Sequence, residues 1–203
     1  MMRAAFLAAV FLAGTAAQAG DVGTLTARCA FCHGAQGVSG NPIWPSLAGL
    51  DADYLAQRMQ SYRAGENASA NALQMRFVLN ALTEAEVSAI AQHYAALDPA
   101  QPIGPEEAQG AQIYHSGLEE RAAPCVSCHG ANAQGDSDLL APRLAGQSAH
   151  YMTKQLAAYA AETRPDKDSG MAQVAQALTP EQRRAVSLYL QSMAPAISEE
   201  DDP

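Results

Sequence analysis

Two stretches of the chain carry apolar residues at helical spacing, with polar residues between them. The apolar positions lie three or four residues apart: Val87, Ile90, Ala91 and Tyr94 in the first half, and Val186, Tyr189 and Leu190 in the second. This spacing puts the apolar side chains on one face of an α-helix, as in helices that pack on a core. The pattern predicts two core-facing helices, each packed on the first helix of its own half.

A residue suited to capping precedes each of these helices. Thr83 is followed three positions later by Glu86, and Thr179 by Gln182. In this capping-box pattern the two side chains satisfy each other's backbone N–H groups. Pro180 also stands at the first helical position, where proline is favoured. The sequence therefore predicts that helices start after Thr83 and Thr179.

Two further helices per half complete the prediction. Asp51 and Ser148 are suitable N-caps for helices that carry paired tyrosines. A first helix is expected over about Gly23 to Cys29, and a longer one over about Glu106 to Ser116. The chain is rich in Ala, Leu and Gln and has few β-branched runs. We predict an all-α fold.

The two halves are copies of one unit. The motif Cys-x-x-Cys-His-Gly at Cys29 recurs 96 residues later at Cys125, and the run Pro-x-Leu-Ala-Gly at Pro45 recurs 97 residues later at Pro142. Such self-similarity along a chain indicates repeated structural units. The sequence is a tandem duplication, so whatever one copy binds is expected in the other.

Composition along the chain predicts the domain boundaries. Residues 98–105 contain three prolines and a glycine, and a helix cannot continue through such a segment. We predict a cleaved signal peptide at 1–19, domain 1 at 20–97, this linker, and domain 2 at 106–195, with an acidic tail at 196–203. Each domain has about 80 residues, a size at which a hydrophobic core alone is marginal.

The cysteine motifs indicate the missing apolar group. They use every cysteine in the chain: Cys29, Cys32, Cys125 and Cys128. Two thiols at this spacing can add to the two vinyl groups of one porphyrin, and C-x-x-C-H is typical of c-type haem attachment. We predict two covalently bound c-type haems, with His33 and His129 as proximal iron ligands. Zinc is the alternative, but a structural zinc site needs four ligands and each motif offers three.

The duplication selects the sixth ligand of each iron. Most candidates have no counterpart of the same type in the other half: His93, His115, His150, Met59, Met152 and Met193. Met75 and Met171 do correspond, and each lies 42 residues after the histidine of its motif. Two core methionines would be the ordinary interpretation. Equal spacing in both copies instead favours Met75 and Met171 as ligands of the two irons.

Histidine and methionine together indicate what the iron does. A thioether is a soft ligand that favours reduced iron and raises its potential. With both axial positions filled by the protein, no position is open to oxygen or peroxide. We predict electron transfer and not catalysis.

Residues around the predicted ligands also recur in both copies. A backbone carbonyl near Pro45 or Pro142 can accept a hydrogen bond from the proximal histidine ring, although these prolines are also ordinary loop residues. Tyr62 and Tyr159 can donate to haem propionates, or else are half-buried helix tyrosines. Arg63 and Arg164 do not correspond to each other and are set aside.

The N-terminal sequence predicts where the protein is located, and the net charge indicates which classes of partner it can bind. Arg3, an apolar run and Ala17-Gln18-Ala19 form a signal-peptide pattern with cleavage after Ala19; an uncleaved anchor is the alternative. Haem is attached to C-x-x-C-H outside the bacterial cytoplasm, so we expect a periplasmic protein. The formal net charge of −9 argues against nucleic acid and suits a basic patch on a redox partner.

Taken together, the C-x-x-C-H-G motifs, the P-x-L-A-G runs, the paired tyrosines and the two methionines followed by A-L-T resemble the dihaem cytochrome c4 family. The resemblance covers Gly20 to about Met193. It implies two tandem class I cytochrome c domains related by approximate two-fold symmetry, with the haems near their interface. It also implies transfer of electrons from a cytochrome bc complex or a dehydrogenase to a haem–copper terminal oxidase or another acceptor.

Two other functions remain open. One is an electron-transfer subunit of a larger dehydrogenase or sulfur-oxidising complex, in which only the partner differs. The other is a dihaem peroxidase, which two equivalent methionine ligands disfavour. We expect a monomer, and the sequence leaves open peripheral association with the membrane surface.

Overall fold

The computed structural model describes residues 21–67, 71–165 and 169–194. The predicted signal peptide and acidic tail lie outside these residues. The described part is helical and without strands: α1 Val22–His33, α2 Ala52–Arg63, α3 Ala72–Leu79, α4 Glu84–Ala95, α5 Ala108–Ser116, α6 Val126–His129, α7 Ala149–Ala160, α8 Met171–Ala177 and α9 Pro180–Ser192. The all-α prediction is confirmed. Within those same ranges no helix is long and apolar enough to span a bilayer.

Local sequence determines the starts of the long helices as predicted. Asp51 accepts a hydrogen bond from Tyr54 N–H at 2.8 Å before α2, and Ser148 accepts one from Tyr151 N–H at 3.2 Å before α7. Complete capping boxes precede α4 and α9. These caps satisfy backbone donors that the first helical turn leaves without partners.

The first helices differ from the prediction. In domain 1, α1 is the longer one and runs through the C-x-x-C-H motif, whereas α5 ends at Ser116 and the second motif forms the separate α6. The cause is Gly117, which has a φ of 69° and lies so close to Ala122 O that a Cβ atom would be 2.4 Å away. The backbone therefore turns out of the helix before it reaches Cys125.

The short helices α3 and α8 were not predicted. Each is eight residues or shorter, and neither has a side-chain cap. A helix this short gives little local signal in the sequence when no side-chain cap marks its start. Both are important here because they carry Met75 and Met171.

Each domain packs its last helix on its first helix and on the helix that carries the paired tyrosines. Helix α4 contacts α1 and α2, and α9 contacts α5 and α7, while α3 packs on α2 and α8 on α7. The predicted apolar stripes are buried, with Val87 and Tyr94 each 1% exposed and Val186 2% exposed. The core-facing assignment of α4 and α9 is confirmed.

The segment between the domains is extended and lies against both. Ile103 exchanges two hydrogen bonds with Gln191 of α9, at 3.0 and 3.2 Å. Pro99 lies against Gly49, where a Cβ atom would be 2.9 Å from the proline ring. Proline-rich sequence and these contacts together limit how far the two domains can move apart.

Candidate haem-binding site

A cavity of about 590 Å³ is lined by residues of both domains. All four predicted iron ligands contribute to its wall: His33, Met75, His129 and Met171. The volume lies within the roughly 300–1,000 Å³ typical of cofactor sites. The fold therefore brings the predicted ligands of both copies to one connected space.

Each proximal histidine is held by a proline carbonyl. His33 Nδ1 lies 2.8 Å from Pro45 O, and His129 Nδ1 lies 2.9 Å from Pro142 O. A carbonyl can only accept, so Nδ1 carries the proton and Nε2 has a free lone pair. This is the tautomer that a metal-binding histidine needs.

Burial keeps both histidines in the neutral form. Each is 6% exposed. Burial lowers the pKa of His33 and of His129, and the proline carbonyl opposes this only in part. Metal binding requires the neutral imidazole, so both side chains are in the ligand form near neutral pH.

The P-x-L-A-G loop is fixed at both ends, which explains why it recurs. In domain 1, Leu47 N–H donates to Gly37 O at 2.7 Å and Gly49 N–H donates to Tyr94 O at 2.9 Å. Domain 2 repeats both bonds, from Leu144 to Ala133 and from Gly146 to Leu190. These bonds tie the loop to the turn after the cysteine motif and to the last helix. The carbonyls of Pro45 and Pro142 are thereby held against the histidines.

The methionines come from the short helices, at different positions within them. Met75 is the fourth residue of α3, whereas Met171 is the first residue of α8. Both are partly buried. Three candidates that the duplication had excluded also line the cavity: Met59, His150 and Met152. His115, by contrast, pairs with the Tyr189 hydroxyl at 2.8 Å.

The four cysteines form no disulfide and lie in different environments. Cys29 and Cys32 line the cavity. Cys125 is partly buried, and burial raises its pKa to about 11, while Cys128 is exposed. Among the described residues no three His, Cys, Asp or Glu side chains are grouped as a metal site would need.

Positive charge is concentrated on the cavity wall. Five of the twelve basic residues of the chain line it: Arg28, Arg58, Arg143, Lys154 and Arg164. Within the described ranges no Asp or Glu does. Buried nitrogens of three of these arginines have no protein hydrogen-bond partner there: Arg58 Nη2, Arg143 Nη1 and Arg164 Nε. A buried charged donor without an acceptor is costly, so the wall is suited to a ligand that carries carboxylates.

Arg164 is the most buried of these cations and connects the domains. It is 5% exposed and donates to Tyr54 Oη of domain 1 at 3.1 Å and to Gln155 of α7. Its guanidinium lies 4.6 Å from the centre of the Tyr159 ring, and Arg58 lies 5.6 Å from that of Tyr62. Each predicted tyrosine thus lines the cavity beside an arginine. The duplication does not point to Arg164, because the other half has no matching arginine.

The residues present fit two haems. Each half supplies a buried neutral imidazole and a thioether to the cavity wall, which is mostly apolar. Each motif also supplies a thiol pair, of which Cys29 and Cys32 lie on that wall. The unpaired guanidinium nitrogens match the carboxylates of haem propionates. An imidazole and a thioether would hold each iron, and iron so held carries single electrons by changing between two oxidation states.

Comparison with known proteins identifies the family. The Cytochrome c family model matches residues 18–98 and 108–194, once for each domain. Cytochrome c4 of Azotobacter vinelandii is 30% identical over 198 residues, covering 90% of this chain and 93% of that protein.

A second relative is the thiosulfate dehydrogenase electron acceptor of Thiomonas intermedia, 36% identical over 81% of this chain and 77% of that protein. The crystal structure of reduced cytochrome c4 from Pseudomonas stutzeri superposes with a TM-score of 0.77 at 28% identity, covering 88% of this chain and all of that one. The chain therefore belongs to the cytochrome c4 family, whose members are dihaem electron carriers with two covalently bound c-type haems.

Proposed function

We propose that the protein is a periplasmic one-electron carrier that does no bond chemistry of its own. The observation that carries this proposal is that each half of the cavity is lined by one carbonyl-bonded, neutral histidine and by the one methionine that has a counterpart in the other half. With His33 and Met75 at one iron and His129 and Met171 at the other, both axial positions of each iron belong to the protein. Small oxidants would then have no open position to bind.

The surrounding residues keep each site rigid. Carbonyls of Pro45 and Pro142 orient the two imidazoles and raise their basicity as ligands. Cys29 and Cys32 in one half, and Cys125 and Cys128 in the other, are the attachment residues. Rigid ligands reduce the rearrangement that accompanies a change of oxidation state, which suits a site that must gain and lose electrons quickly.

For partners, we propose a cytochrome bc complex or a dehydrogenase as donor and a haem–copper terminal oxidase as an acceptor. The formal net charge of −9 supports docking on basic surfaces, since opposite charge accelerates encounter. The predicted signal peptide supports export to the periplasm, and we propose that the carrier is a monomer there.

A second candidate is the electron acceptor of a particular dehydrogenase. It is favoured by the relative from Thiomonas intermedia, whose name describes it as the acceptor of thiosulfate dehydrogenase. The redox centres of this chain would be the same in either case. Pull-down from the native periplasm distinguishes them, because a subunit co-purifies with a catalytic partner whereas a free carrier does not.

Optical spectroscopy of the purified protein tests the ligand assignment. Two c-type haems with a near-infrared sulfur-to-iron band are expected, and Met75→Ala and Met171→Ala should each remove half of that band. Persistence of the full band in either variant would contradict that methionine as a ligand. Peroxide turnover with a reduced donor cytochrome would instead support a dihaem peroxidase.

A further inference from the structure

Gln147 of domain 2 forms a buried contact with the loop that orients the proximal histidine of domain 1. Its side-chain oxygen accepts from Ser46 N–H at 2.9 Å, and its side-chain nitrogen donates to Ser46 O at 2.8 Å. Gln147 and Ser46 are 7% and 8% exposed. One amide thus satisfies both backbone groups of Ser46 across the domain interface.

The first of these bonds acts on the same peptide group that holds His33. The N–H of Ser46 and the carbonyl of Pro45 belong to one peptide unit, whose carbonyl accepts from His33 Nδ1 at 2.8 Å. Hydrogen bonds in such a chain polarise one another, so a bond accepted from the N–H strengthens the carbonyl as an acceptor. A continuous chain therefore runs from Gln147 to the imidazole of His33.

The same loop is also tied to the cysteine motif. Ser46 Oγ accepts from Ser39 N–H at 3.1 Å, and Ser39 Oγ donates to Cys32 O at 3.0 Å. Movement of Ser46 would thus be transmitted to both the histidine and the attachment turn of domain 1.

Domain 2 lacks this arrangement. The corresponding peptide unit joins Pro142 to Arg143, and among the described residues its N–H has no hydrogen-bond acceptor. The domain 1 residue that corresponds to Gln147 is Leu50, which cannot accept a hydrogen bond. Arg143 Nε reaches across the interface to Gly49 O at 3.2 Å, but its bond does not involve the peptide that holds His129.

We infer that Gln147 is a positioning residue that makes the iron site of domain 1 sensitive to its contact with domain 2. By polarising the Pro45–Ser46 peptide it increases electron donation from His33 and lowers the reduction potential of the haem in domain 1 alone. The inference rests on the proposed ligation of iron by His33.

The test is a redox titration of the holoprotein with Gln147→Leu, which places the Leu of domain 1 at the matching position. We expect the potential of the domain 1 haem to rise by the equivalent of a threefold to tenfold change in its reduction equilibrium, where tenfold is about 59 mV for one electron. The reduction potential of the domain 2 haem should not change beyond experimental error. Gln147→Met, which keeps side-chain length, should give the same result if the leucine variant fails to fold.

Ser137→Ala is the matched control, because it also removes an interdomain bond, from Ser137 Oγ to Asp51 Oδ2 at 2.8 Å, but does not touch the proline loop. It should shift neither potential. Met75→Ala identifies which step of the redox titration belongs to the haem of domain 1. The optical spectrum of this variant tests the iron ligands separately from Gln147. If folded Gln147 variants shift neither haem, or shift both equally, the inference is wrong even where the ligand assignment holds.

Discussion

Domain 2 has a larger protein core than domain 1, although both follow one plan. Among the described residues the core cluster of domain 2 has nine buried members: Ile113, Tyr114, Ala133, Ala145, Met152, Leu178, Val186, Tyr189 and Leu190. That of domain 1 has five: Leu50, Leu55, Ile90, Ala91 and Tyr94. Two copies of one sequence unit therefore depend to different degrees on what fills the cavity.

The first helices account for much of this difference. Helix α5 buries Ile113 and Tyr114 and approaches α9 so closely at Gly110 that a Cβ atom would be 2.3 Å from Ala185 O. In α1 the buried residues are Thr26 and the predicted ligand His33. The first helix of domain 1 thus adds little apolar area of its own, so domain 1 should need its haem more.

The largest expected effect comes from preventing haem attachment in one domain at a time. Cys29→Ser with Cys32→Ser should leave domain 1 largely unfolded, a loss of roughly 5 kcal/mol, comparable with the whole stability of a small domain. Cys125→Ser with Cys128→Ser should leave more residual helix in domain 2. Circular dichroism and amide exchange measure both. Equal loss of structure in the two double variants would contradict the expectation that domain 1 depends more on its haem than domain 2 does.

Arg164 provides a second test of the difference between the domains, because domain 2 has this arginine and domain 1 has none at the matching position. Its counterpart in domain 1 is Asn67, yet Arg164 contacts Tyr54 across the interface. A unit charge about 10 Å away in an effective dielectric of about 20 contributes about 1–2 kcal/mol. Removing this cation disfavours the reduced iron, so Arg164→Gln should lower both reduction potentials by about that free energy.

Arg58→Gln is the matched control for Arg164→Gln. Arg58 belongs to α2 and lies over the Tyr62 ring of domain 1, so its removal should lower the potential of the domain 1 haem more than that of the other. Redox titration distinguishes the two patterns. A shift confined to the domain 2 haem in Arg164→Gln would show that Arg164 does not serve both sites.

Features repeated in both copies were predictable, and features at the interface were not. Thr83 and Thr179 cap helices through bonds three residues away, and the cysteine motifs and P-x-L-A-G loops act within one domain. Features that are local or duplicated in this way can be recognised from the amino-acid sequence.

Gln147 and Arg164 depend on residues of the other domain, 101 and 110 positions away. Neither has a like residue in the other half, so comparing the halves discards both. Both residues stand at positions where the two copies differ, and for that reason only the folded structure identifies them.

The smallest expected effect concerns the two capping boxes, which differ in one titratable group. Hydrogen bonds from Thr83 backbone N–H and hydroxyl lower the pKa of Glu86 below its usual value of 4.5, whereas α9 has the neutral Gln182 at the same place. A group whose pKa is lowered by folding stabilises the native state above its unfolded pKa, and this stabilisation is lost as the pH falls through the folded value. Amide exchange in the first turn of α4 should therefore accelerate on acidification relative to the first turn of α9. Glu86→Gln, which copies the domain 2 box, should abolish that difference, and an unchanged pH dependence in this variant would mean that another group causes it.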